Sequence, residues 1–209
     1  QSNKEICHNS IALKAKSFGI AGEIDCRTNY LCISGGDDCA NENPSSKIEV
    51  DLNSKDRKNE VMKVVAKEMA DCWYMFGEGK VDYSDKASSK TQCSICSIVE
   101  FDAKTQGKFS TITYTEFYDY LRTTKKEGSE SYLRYLYGVD SLDTLEIQEQ
   151  FFPMIQVSDD TISTNRKYSI ITGIDNHINP LKKDDYLKVY IIPTAETGAT
   201  ACNDFITKS

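Results

Sequence analysis

Eight cysteines, spread from Cys7 to Cys202 along 209 residues, constrain this chain more than any other feature. They stand at Cys7, Cys26, Cys32, Cys39, Cys72, Cys93, Cys96 and Cys202. A reducing cytosol keeps such residues as thiols, whereas an oxidising compartment pairs an even set of them into bridges. The closest pair, Cys93-Ser94-Ile95-Cys96, is the most informative. The segment around it, QCSICSIVEFD at 92–102, carries Ile95, Ile98, Val99 and Phe101 and reads as a buried strand. Three strand residues at about 3.3 Å each put the two Cα atoms about 10 Å apart. A disulfide tolerates only about 7 Å. Cys93 and Cys96 then face opposite sides of the sheet and need different partners.

Cys72, on the core stripe of a long helix, suits one of them. Cys32 and Cys39 can close a local loop across Gly35-Gly36. Two other readings of the pair compete. Zinc would need two further ligands at matching spacing, and the only histidines are His8 and His177. A thioredoxin-type centre wants its first cysteine at a helix N-terminus, where the dipole stabilises a thiolate. Structural bridges lead, with thiol–disulfide exchange at Cys93 and Cys96 as the alternative.

Hydrophobic periodicity supplies the rest of the architecture. Residues 54–76 form the strongest helix, with Val61, Val65, Met69, Cys72 and Phe76 on one stripe widened by Met62 and Trp73. Gly77 and Gly79 end it. A shorter helix is expected over 5–17, with Ile6, Ser10, Leu13 and the small Ala12 and Ala15 available for packing. Strands are expected at 23–33, where Ile24, Cys26, Thr28, Tyr30 and Cys32 share a face, and at 47–52. Thr113-Tyr114-Thr115-Glu116 fits a capping box and opens a helix to about 125, followed by a second one near 129–137. Runs at 166–174 and 186–193 read as an antiparallel pair, and 142–154 is compatible with strand or helix. The expected fold is α+β: one domain over 1–209, a mainly antiparallel sheet packed on the long amphipathic helix, with a helical insertion near 113–138.

Composition removes several function classes. The net charge of −7 disfavours phosphate backbones. No apolar run approaches the ~20 residues of a membrane span. The polar opening Gln1-Ser2-Asn3-Lys4 suggests a processed terminus or an ectodomain. His8 adjoins Cys7 and His177 lies in a turn, so neither sits as a base beside a nucleophile. The acidic doublets Asp37-Asp38, Asp159-Asp160 and Asp184-Asp185 match no twelve-residue calcium loop. No cofactor, metal or catalytic residue is therefore expected. Tyr114, Tyr118, Tyr132 and Tyr135, with Tyr120 and Tyr137 nearby, form a patch suited to a core margin or an interface.

Several motifs together carry a resemblance. Cys7-His8-Asn9-Ser10-Ile11, Cys26-Arg27-Thr28, Ala70-Asp71-Cys72-Trp73 with Phe76-Gly77-Glu78-Gly79-Lys80, Cys93-Ser94-Ile95-Cys96 with Phe101-Asp102, Tyr114-Thr115-Glu116-Phe117 and Tyr132-Leu133-Arg134-Tyr135-Leu136 span residues 7–140. In these the chain resembles an uncharacterised family of archaeal single-pass membrane-anchored proteins with a cysteine-rich extracytoplasmic domain. That resemblance implies an N-terminal anchor lying before Gln1, and it attaches no activity. The leading expectation is a non-enzymatic, secreted or membrane-tethered surface protein acting in adhesion, envelope assembly or a surface structure, through protein partners or self-assembly. The alternatives are the Cys93/Cys96 oxidoreductase and a small-molecule or glycan-binding module built on the aromatic patch.

Overall fold

The cysteine-bearing strand at 92–102 becomes the spine of the molecule. The computed structural model describes residues 2–17, 22–41, 43–84, 91–128, 130–144, 160–175, 185–199, 202 and 204–208. In chain order the elements are α1 (Asn3–Lys16), β1 (Asn29–Ser34), β2 (Ser46–Glu49), α2 (Arg57–Met75), β3 (Thr91–Phe101), α3 (Ala103–Lys108), β4 (Thr111–Thr113), α4 (Tyr114–Thr123), α5 (Tyr132–Tyr137), β5 (Thr161–Ser163), β6 (Tyr168–Asp175), β7 (Asp185–Pro193) and β8 (Asp204–Phe205). The main sheet runs β2-β1-β3-β6-β7, with β8 also paired to β3. Its longest ladders, β3 with β6 and β6 with β7, are antiparallel. The pairs β1 with β2, β1 with β3 and β3 with β8 are parallel, so the sheet is mixed. Strands β4 and β5 make a separate two-stranded ladder.

Helix α2 lies across one face of this sheet. Val61, Val65, Met69, Cys72 and Trp73 are all buried along it, the stripe that its sequence spacing prescribes. Against them pack Leu31 and Ile33 of β1, Val99 and Phe101 of β3, Ile170 and Ile174 of β6, and Val189 and Ile191 of β7. One continuous core reaches from Cys7 to Ile191, which makes the fold a single-domain α+β architecture. The expected antiparallel pair of the last third is β6 with β7. Its connecting turn, with His177 and Pro180, lies outside the described residues, as do Asp159, Asp184 and most of 142–154.

Two local expectations need correction, and one helix is new. Helix α1 starts at Asn3 rather than near 5, because Ser2 and Glu5 form a capping box, each side chain serving the other's backbone amide. Its core face is Cys7 and Ile11, one turn apart, while Leu13 is 63% exposed. The first strand begins at Asn29, not 23, because Cys26 is drawn to Cys7 on α1 and leaves 22–26 irregular. Helix α3 had no periodic signal. Asp102 builds it as N-cap, its side chain accepting the Thr105 amide at 2.8 Å.

The end of β8 explains how a mixed sheet closes. Strand β1 pairs only with residues 97–101 of β3, leaving the lower half of that side bare. The C-terminal segment fills it: Asp204 and Phe205 pair with Gln92 and Cys93, and the Lys208 amide donates to the Cys26 carbonyl at 2.9 Å.

Candidate functional site

Four bridges join the cysteines. They are Cys7–Cys26, Cys32–Cys39, Cys72–Cys96 and Cys93–Cys202, with Cα separations of 4.4, 5.9, 5.6 and 5.6 Å. A register shift between Ile95 and Ser97 lets Cys96 and Ser97 both address α2, Cys96 through Cys72 and Ser97 through Glu68. Cys93 takes the other side. The oxidoreductase alternative therefore loses its bond: Cys93 and Cys96 hold different partners and are 0% and 1% exposed, so neither sulfur is open to in-line attack.

The tyrosine patch has a definite structural task. Among the described residues β7 ends the sheet, and an unpaired edge invites further strands. Helices α4 and α5 cover it. The Tyr137 hydroxyl donates to the Val189 carbonyl at 2.7 Å and the Tyr114 hydroxyl to the Ile191 carbonyl at 3.2 Å. Those carbonyls are two residues apart, so they point to the same edge. Tyr118 packs between the two caps, its ring 6.4 Å from Tyr114 and 5.9 Å from Tyr137. Tyr132 is buried at the α5 start, and burial raises its phenol above the usual value. Of the four tyrosines singled out, Tyr114, Tyr118 and Tyr135 are half-buried and Tyr132 is buried.

Tyr135 reaches a second feature. Its hydroxyl donates to Glu78 at 2.7 Å, and Lys126 sits 4.1 Å from its ring centroid. Glu78 lies between Gly77 and Gly79 in three consecutive left-handed residues, with φ of 77°, 56° and 67°. A side chain in that region costs about 1–2 kcal/mol. Its neighbours cannot carry one. A Cβ on Gly77 would lie 2.0 Å from Val81 Cγ2, and one on Gly79 would press Trp73 at 3.1 Å. Burial pushes the Glu78 carboxyl up, but hydrogen bonds from Lys80 at 2.5 Å and from Tyr135 outweigh it and hold the group below its ordinary value. The Lys188 ammonium lies 5.0 Å from the Trp73 ring centroid, and burial lowers its pKa. The motif FGEGK thus reads physically as the stop of α2, clamped by Tyr135 and Trp73.

Two buried carboxylates depart from the sequence reading: Glu68, expected on the polar face of α2 with Lys63, Lys67 and Asp71, is internal, and no local signal marks Asp102 as internal. Glu68, 5% exposed, accepts Asn29 Nδ2 at 2.8 Å and the Ser97 hydroxyl at 2.5 Å, and pairs with Lys4 at 3.5 Å. Lys4 also binds Asp71, which ties α1 to α2. Asp102 is 1% exposed and accepts the Ser34 hydroxyl and the amides of Gly35, Asp37 and Thr105. Both clusters are filled by the chain itself. His8 stacks on Tyr74 at 4.2 Å, beside a cysteine already spent on Cys26. Asp38 pairs with Lys47 across the turn. Among the described residues, no three His, Cys, Asp or Glu side chains converge as a metal site.

Fold and site together define a class: a single-domain α+β protein on a mixed sheet, stapled by four disulfides, with the hydroxyls of Tyr114 and Tyr137 capping carbonyls of β7. No family model, no curated protein and no solved structure matches the chain.

Proposed function

We propose that this protein works outside the reducing interior of the cell, secreted or tethered at the surface, and acts by binding other proteins or its own copies rather than by catalysis. One observation carries the reading. The four bridges reach from the first helix to Cys202, just before the last strand, and seven of the eight cysteines are buried. Such bridges form where the compartment is oxidising, and burial then shields them from thiol reductants. The acidic net charge suits a partner with a basic surface. The same reading sets residues 7–140 beside the archaeal membrane-anchored ectodomains that their motifs resemble.

The test is alkylation of native protein from fractionated cells, followed by peptide mapping without reduction. The expected result is four bridged peptide pairs in the extracytoplasmic fraction, with no alkylated cysteine. Recovery from the cytoplasm with its cysteines alkylated overturns the reading.

A further inference from the structure

The sheet has a second face, turned away from α2. On it Tyr30 of β1 lies beside Ile98 of β3, and Cys32 beside Glu100. A cleft of about 140 Å³ opens over these residues. Asn41 and Pro44 wall one side, in the loop that the Cys32–Cys39 bridge ties down, and Lys167 walls the other, just before β6. A dry cavity of roughly 150 Å³ holds one benzene-sized group, and whole small-molecule ligands take about 300 Å³ or more. The cleft therefore accepts one side chain.

Glu100 says which kind. Its side chain is 13% exposed. One oxygen, Oε2, receives the Asn41 amide at 3.3 Å and the Lys167 ammonium at 3.4 Å, both long contacts. The other, Oε1, has no hydrogen bond from any described residue. A carboxylate offers about four acceptor positions, and buried ones are normally filled. Asp102 and Glu68 have their oxygens engaged by the chain itself, whereas Glu100 Oε1, on the wall of the cleft, is left to solvent.

We propose that this cleft receives an arginine side chain from a protein partner, with its guanidinium on Glu100. A guanidinium places two parallel N–H donors on both carboxylate oxygens, is weakly hydrated, and stacks on an aromatic ring such as Tyr30. Its methylene stem suits Ile98 and Pro44. A lysine ammonium is a strongly hydrated point charge that leaves one oxygen unmet. A neutral apolar group leaves Oε1 desolvated without a donor, which costs binding energy. Lys167, 51% exposed, swings into solvent as the arginine enters, so it acts as a competitor. The inference rests on the preceding reading that this protein acts by binding proteins, and it names the chemistry of one contact.

The test is NMR titration of isotope-labelled, disulfide-intact protein with acetyl-Gly-Arg-Gly-amide, against lysine and citrulline counterparts. Saturable shifts are expected at 30–33, 39–41, 43–44, 98–100 and 166–168. The citrulline and lysine peptides, and the Glu100→Gln variant with the arginine peptide, should each bind about tenfold or more weakly, the loss of a charge-assisted contact. Lys167→Met should bind the arginine peptide more tightly than wild type. An absence of saturable shifts, citrulline binding equal to arginine, or weaker binding by Lys167→Met each overturns the site. Any of these leaves the extracytoplasmic reading standing, since that one falls only on alkylated cysteines in a cytoplasmic fraction.

Discussion

Replacing Cys93 and Cys202 with alanine should cost about twice the stability lost by replacing Cys32 and Cys39. Both changes remove one bridge with buried sulfur, but the closed loops differ: 109 residues against 7. The loop-entropy relation gives about 4.8 kcal/mol for the longer separation and about 2.4 kcal/mol for the shorter. The native structure pushes in the same direction. The Cys93 carbonyl accepts the Ile206 amide and the Cys26 carbonyl the Lys208 amide, both at 2.9 Å, so losing the bridge also loosens β8 from β3. The assay is urea unfolding followed by fluorescence of the single Trp73, which is 4% exposed in the native state. The midpoint should fall further for the Cys93/Cys202 variant. Its m-value should rise, because an unfolded chain released from a long loop exposes more surface. Hydrogen exchange should lose protection first at residues 204–208. Equal losses for the two variants, or a greater loss for the short loop, would refute the reasoning.

Three further outcomes follow from the same contacts. Removing both hydroxyls that cap β7, in Tyr114→Phe with Tyr137→Phe, should cost about 1 kcal/mol each and raise aggregation measured by light scattering, because the edge carbonyls lose their donors. Burial acts to raise the Asp102 carboxyl, but bonds from Thr105 and from the Gly35 and Asp37 amides hold it at about 2, against an ordinary 3.8. A lowered folded value means that its stabilisation, about 2 kcal/mol, is complete above pH 3.8 and disappears as pH falls toward 2. Acid-unfolding curves should therefore show Asp102→Asn less stable at neutral pH and less acid-sensitive across that window. Gly173→Ala should destabilise strongly in thermal unfolding, because its Cβ would lie 2.5 Å from the Gln92 carbonyl oxygen and 2.8 Å from Leu187. Wild-type stability in that variant would show that β3 and β6 do not approach as closely as described.

The amino-acid sequence by itself determined the elements whose signal is local. The stripe Val61, Val65, Met69 and Cys72 specifies a helix with one buried face, whatever covers it. Thr113 and Glu116 specify where α4 begins, since each satisfies the other's backbone. The extended geometry of 92–102 forbids a bond between Cys93 and Cys96 before any partner is known. Tertiary structure decided everything that depends on which distant segments meet. The parallel pairing of β1 with β3, the insertion of β8 beside it and the partner of Cys93 at Cys202 bring together residues far apart in the chain, and no periodicity encodes that choice. The same holds for charge. Asp102, Glu68 and Glu100 look like any other acidic residue in the sequence. Burial turns two of them into filled structural clusters and leaves the third with an open oxygen on a cleft, because desolvation depends on the whole packed surface around a group.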